Sequence, residues 1–375
     1  MSKEIDGTAP QASPVARVAL LAYLLLIVYA SLYPFSGWHN SGLSPFAYLN
    51  TTPPQYWTLF DAAINVIGYV PFGILLMFSL YPRVRGLWAL LLAALAALLV
   101  SGAMEAVQTF LPSRVASNLD FLTNAAGAVL GACIGKMATR ALLEQSRLHQ
   151  LRQRWFAPQA SAGLVLLGLW PLAQIYPQAY LFGNGQLLPI VSEWLSSWLD
   201  MNIDLVAMLR PDTVMTVEQY WLSETIITAC GMTGAVLTML CVLRRGAPRT
   251  LLALALVAAT LLVKALASAL LFTPANAFVW MTPGAEGGFL IGAIMLSGLA
   301  FAPQQAQRRI AVLTLLLSLL VLNDIPVNPY FSSTLQSWVQ GKFLNFNGAA
   351  QFLALLWPFF ALCYLFLPAH KHHRS

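Results

Sequence analysis

The chain has 375 residues, 58% of them hydrophobic and only 9% charged, with a mean hydropathy of +0.69. Soluble domains carry roughly 25% charged residues, so a chain this apolar could not cover its own surface with polar groups and lipid must take that place. The net charge of +6 comes from scattered lysines and arginines, not from basic runs interleaved with aromatics, which argues against nucleic acid as a partner.

The first 14 residues are polar and read as a cytoplasmic tail. The apolar run after them is too long for a signal-peptide core and lacks a small-residue cleavage site, so it reads as a retained first helix. A helix needs about 20 apolar residues to cross a hydrocarbon core of about 30 Å. On that criterion spans are predicted near 15–35, 60–80, 87–111, 119–138, 161–181, 220–243, 250–272, 286–302, 310–322 and 349–367. The fold class is therefore all-α, a polytopic membrane protein of about ten transmembrane helices. Spans one to four make an N-terminal domain, 15–138; spans five to ten make a second, 161–368, followed by a cytoplasmic tail, 369–375. Between the domains, residues 139–160 are basic and helix-prone, which suits an interfacial helix held by membrane lipids of anionic headgroup. Segment 182–219 carries Glu193, Asp200, Asp204, Asp212 and Glu218 among Trp194, Leu195 and Trp198, the pattern of an amphipathic helix on the outer membrane face; 323–348 is similar. In span eight, Gly287, Gly288, Gly292 and Gly298 predict close helix packing. Cys133, Cys230, Cys241 and Cys363 all fall in apolar runs without metal-ligand spacing, and no metal or cofactor is expected.

Orientation follows from the basic residues. Of the 20 lysines and arginines, sixteen fall in one alternate set of segments: Lys3, Arg17, Arg83, Arg85, Lys136, Arg140, Arg147, Arg152, Arg154, Arg244, Arg245, Arg249, Arg308, Arg309, Lys371 and Arg374. Only Arg114, Arg210 and Lys342 fall in the other set, and Lys264 lies within a span. This bias predicts both termini on the cytoplasmic side of the membrane.

Ionisable groups inside a membrane are costly and tend to mark function or a specific pairing. Here they are Asp61, Glu105, Asp120, Glu224, Lys264 and Glu286, and the predicted orientation places all of them in the outer half of the bilayer. Asp61 with Asn65 and Asp120 with Asn124 are i, i+4 pairs, and Glu105 with Gln108 is an i, i+3 pair, so each set shares a helical face. Gly127 and Gly131 continue the Asn124 stripe. Arg114, in the tight turn before span four, is expected to reach Glu105 and Asp120. Together these seven residues predict a charge-paired polar pocket open to the outer surface. A plainer reading stands beside it for Asp61, Asp120, Glu224 and Glu286, which lie in first turns where a carboxylate suits the helix dipole. For Glu105 it fails, because a carboxylate near a helix C-terminus opposes the dipole and needs a partner. In the second domain Lys264 is expected to pair with Glu224 or Glu286.

The stretch DAAINVIGYVPFGILL, followed by EAVQTFLPSRVASNLDFLTNAAGAVLGACIG, resembles the VanZ-like family. The matching pattern is an asparagine-bearing helix with a Pro-Phe-Gly turn, a Glu-x-x-Gln pair, a basic residue in a short loop, and Asp-x-x-x-Asn-x-x-Gly-x-x-x-Gly. In this chain those positions are Asn65, Pro71, Gly73, Glu105, Gln108, Arg114, Asp120, Asn124, Gly127 and Gly131. The resemblance covers about residues 15–140, and the six later helices resemble the extension of longer bacterial members. It implies a bacterial envelope protein of a family named for a member conferring resistance to the glycopeptide teicoplanin.

Three functions are weighed. The favoured one is non-enzymatic, with no catalytic residue: an outward-facing pocket that binds an envelope component, such as a lipid-linked precursor or a glycopeptide, and confers resistance. The second is an enzyme on a polyprenyl-linked substrate, with Glu105 and Asp120 as base or metal ligands and Arg114 on phosphate; no Asp-x-Asp, histidine or arginine cluster accompanies them. The third is a transporter, for which the shallow placement of the charges is unfavourable unless Pro71, Pro171 or Pro177 breaks a helix.

Overall fold

The computed structural model describes residues 14–33, 35, 37–40, 42–50, 57–143, 147–157, 160–209, 215–272, 274–325 and 344–367. The two predicted tails, most of segment 323–348, Arg210 and Lys342 lie outside these. The described chain is helical throughout and forms two compact units, Met1–Arg154 and Trp155–Ser375. Eight helices are long and apolar enough to cross a membrane, and the protein is an all-α multi-pass membrane protein.

The first unit contains α1 (Pro14–Leu32), α2 (Leu59–Leu80), α3 (Gly86–Gln108) and α4 (Asn118–Leu143). The inward face of α3 is built from Ala89, Ala93, Ala97, Ser101, Glu105 and Gln108, while Leu87, Trp88, Leu91, Leu95 and Leu99 face out. A soluble helix would reverse this. With lipid as apolar as leucine, helices associate by backbone proximity, and small residues provide it. Helices α2 and α4 take this furthest and run parallel. A Cβ on Gly127 would lie 2.2 Å from the Val66 carbonyl oxygen, one on Gly131 2.0 Å from that of Val70, and one on Gly73 1.9 Å from that of Ala128. Pro71 sits inside α2 without ending it.

The second unit is arranged around α9 (Val217–Val242), whose buried residues cover every side of the helix from Ile227 onward. Around it stand α6 (Ser161–Leu172), α10 (Arg249–Leu271), α11 (Pro283–Leu299), α12 (Gln304–Asp324) and α13 (Leu344–Phe366). The predicted glycine packing in α11 is real but its residues differ. Gly284, Gly288 and Gly292 press on α9, whereas Gly287 makes only a loose contact and Gly298 none within 4 Å. Trp357 Nε1 donates to the Leu166 carbonyl at 2.8 Å, fastening α13 to α6. Arg308 donates to the carbonyls of Leu365 and Leu367 at the end of α13.

The fifth predicted span needs correction. Helix α6 stops at Leu172 after 12 residues, about 18 Å of rise, because Pro171 removes a backbone donor. Residues 173–187 continue as irregular chain, with Ala173, Gln174, Tyr180, Leu181, Phe182 and Asn184 all buried. Helix α11 is also short, 17 residues. Among the described residues of the predicted surface segment 182–219, α7 (Leu188–Leu199), α8 (Leu205–Leu209) and the first turn of α9 are helical, and Trp194 and Trp198 are exposed. The basic stretch 139–160 is divided between the end of α4 and α5 (Arg147–Trp155).

Candidate functional site

The polar residues of the first unit gather at one end of it, and the hydrogen bonds there begin with Ser117. Its hydroxyl caps α4, accepting from the amides of Leu119 at 3.1 Å and Asp120 at 3.3 Å. A capping box would use a side chain of the same helix to accept from the cap's own amide. Here Glu105 of α3 does so: its Oε2 accepts from the Ser117 amide at 2.8 Å. The carboxylate that opposes the dipole of α3 is thus set against the positive end of α4. Asp120, released from capping, accepts from Asn65 Nδ2 at 2.8 Å and so ties α2 to α4.

Glu105 is 2% exposed and points into the bundle. Nearby, the buried Tyr69 hydroxyl lies within reach of the Ser101 and Ser31 side chains and feels the Glu105 charge. Ser101, fully buried, donates weakly to the Phe121 carbonyl at 3.5 Å, which sets the antiparallel register of α3 and α4. In that register Asn124, 7% exposed, lies about two turns deeper than Glu105. Tyr48, from the 3-10 turn Ala47–Asn50, packs edge-on to Phe121 and donates to the Gly102 carbonyl at 3.2 Å. Burial first, and then the Glu105 charge, push its phenol above the ordinary value.

Three expected site residues have other duties. Arg114 turns to α1: its Nε donates to the Tyr33 carbonyl at 3.0 Å and its Nη2 to those of Tyr33 at 2.6 Å and Ala30 at 3.2 Å. The orphan carbonyls at the end of α1 draw the guanidinium away, and a backbone amide takes its place on Glu105. Gln108 also serves α1, donating to the Ser31 carbonyl at 2.9 Å. Asp61 is exposed and forms a capping box with Thr58, whose amide and hydroxyl donate to Asp61 Oδ2 at 3.0 and 2.7 Å. What the structure brings together is therefore Glu105, Asp120 and Asn65, with Tyr69, Ser101, Ser117 and Tyr48 added; Asn124 is buried deeper along α4. The four-residue spacing of Ala89, Ala93, Ala97, Ser101 and Glu105 was a readable sign that Glu105 faces inward.

In the second unit Lys264 pairs with neither expected acid. Glu224, 3% exposed, accepts from Thr282 Oγ1 at 2.6 Å, and Thr282 in turn accepts from the Ala285 amide at 3.1 Å as the cap of α11. Glu286 is exposed in the first turn of α11. Lys264 instead donates to the Gln178 backbone carbonyl at 3.3 Å.

Residues 18–139, about a third of the chain, match the family model described as VanZ/LLP1. No curated protein and no solved structure matches the chain.

Proposed function

Taking residues 18–139 as a VanZ-like domain, we propose that this is a non-enzymatic protein of the bacterial cell envelope whose first unit binds an envelope component in the recess around Glu105. The observation that carries the reading is the Glu105 carboxylate turned into the bundle, with a backbone amide on Oε2 and no basic side chain against it among the described residues, beside the buried Tyr69 hydroxyl. A carboxylate and a hydroxyl buried in an apolar bundle are expensive unless polar partners complete them. A ligand presenting amine or hydroxyl donors does so, which fits a lipid-linked precursor or a glycopeptide and gives the domain a role in antibiotic resistance.

The protein belongs in the cytoplasmic membrane with both termini in the cytoplasm, on the strength of the sixteen-to-three lysine and arginine bias. That bias requires α6 and the irregular chain after it to complete one crossing together. The recess then opens toward the outer leaflet, where envelope precursors and surface-acting antibiotics are met.

Susceptibility to glycopeptides and to envelope stress tests the proposal in a deletion strain complemented with wild type, Glu105→Gln or Asp61→Ala. The deletion and Glu105→Gln strains are expected to share a raised susceptibility, with Asp61→Ala indistinguishable from wild type. Equal susceptibility in all four strains would overturn it.

A further inference from the structure

The irregular segment 173–187 is stitched through the second unit by bonds from every side. Gln178 O accepts from Lys264 of α10, and Leu181 O from Thr228 Oγ1 of α9 at 3.2 Å. Gly185 O accepts from Asn323 Nδ2 of α12 at 2.9 Å, and the Gly185 amide donates to the Ala354 carbonyl of α13 at 3.0 Å. Non-helical backbone in a membrane protein is tolerated only where it is enclosed by protein or lines a cavity, and broken helices of this kind commonly hold a ligand.

Polar groups on this segment remain incomplete. Gln174 Nε2 donates to Asn184 Oδ1 at 3.0 Å, leaving Gln174 Oε1 and Asn184 Nδ2 buried without partners; Gln178 Oε1 is likewise buried and unpartnered. Reversing the two amides of the Gln174–Asn184 pair would leave one donor and one acceptor over just the same. Lys264 is 2% exposed, seven residues from the end of α10, and its three ammonium donors meet one carbonyl and no carboxylate among the described residues. A lysine taken this far from water requires a compensating negative group.

We propose that the second unit binds a small oxyanion at the break after α6, with Lys264 supplying the charge, Asn184 Nδ2 a hydrogen-bond donor, and Gln174 Oε1 and Gln178 Oε1 two acceptors. A carboxylate accepts from the ammonium and from Asn184; a protonated phosphate does the same and also donates its P–OH to the glutamine oxygens. This site does not depend on the proposed function of the first unit.

Thermal unfolding of the full-length protein in phosphatidylcholine nanodiscs tests it, with sodium acetate, phosphate or chloride at constant ionic strength. Saturating acetate or phosphate is expected to raise the wild-type melting temperature by roughly 5 °C over chloride. Lys264→Met is expected to melt higher than wild type in chloride and to lose the response, and Asn184→Leu to weaken it. Replacing part of the phosphatidylcholine with phosphatidylglycerol is expected to leave the response intact; its disappearance there would mean that lipid headgroups occupy the lysine and would overturn a site for free oxyanions. A wild-type response equal in all three salts, or one unchanged in Lys264→Met, would also overturn it. Should Lys264→Met fail to fold, the wild-type titration and Asn184→Leu decide alone.

Discussion

The two units meet one difficulty, polar groups within an apolar bundle, in opposite ways. The first confines them to helix ends and keeps the middle of each helix for small residues in backbone contact. The second draws a broken helix and fifteen residues of irregular chain into its interior and satisfies them with side chains from three helices and a backbone carbonyl from a fourth. Both share one device: an arginine, Arg114 in the first unit and Arg308 in the second, donates to the last carbonyls of another helix. The comparison teaches that a helix terminus is a cheap place to keep charge, because its own free amides or carbonyls serve as partners. A helix interrupted at depth must find those partners elsewhere, and leaves some unfilled.

The sharpest way to break the contrast is to force α2 and α4 apart. Gly131→Ala sets a methyl where the Val70 carbonyl oxygen already stands, and is expected to cost more than about 3 kcal/mol. Gly68→Ala, which meets nothing within 4 Å, should be neutral, as read by heat-induced loss of folded protein in detergent. In the second unit Asn323 is the counterpart. Its Oδ1 accepts from the amides of Leu187 and Leu188 at 2.6 and 3.0 Å, while its Nδ2 serves Gly185. Asn323→Leu is expected to lose about 3 kcal/mol in the same measurement, since three backbone groups lose their partner. The smallest effect belongs to the exposed caps. Asp61→Ala should cost about 1 kcal/mol and Glu286→Gln no more than about 0.5 kcal/mol. A cost for Asp61→Ala as large as that for Asn323→Leu would erase the distinction between terminal and interior polar groups.

Much of the first unit was readable in advance because its spans are unbroken and its motifs local. Gly127 and Gly131 at four-residue spacing predict the contact that forms, and the Asp120–Asn65 bond joins residues placed on facing stripes. The partner of Glu105 was not readable: charge alone suggests Arg114, while a backbone amide carries no residue-specific signal. Lys264 failed for a related reason. Its partner is a carbonyl on a segment that hydropathy assigns to a helix, and Gln174 and Asn184 attract no notice in a run of apolar residues. Pro171, Pro177, Gly183 and Gly185 mark the interruption, but such residues also occur in intact transmembrane helices, as Pro71 demonstrates in α2.

The Arg114 clamp has a consequence for how the chain is made. Arg114 follows Tyr33 by 81 residues, so at roughly 5–20 residues per second the end of α1 waits several seconds for the side chain that completes it. Glu105 and Ser117 are 12 residues apart and close as soon as their turn leaves the ribosome. The α3–α4 contact therefore closes over a short stretch of chain, while the end of α1 waits through 81 residues for its partner.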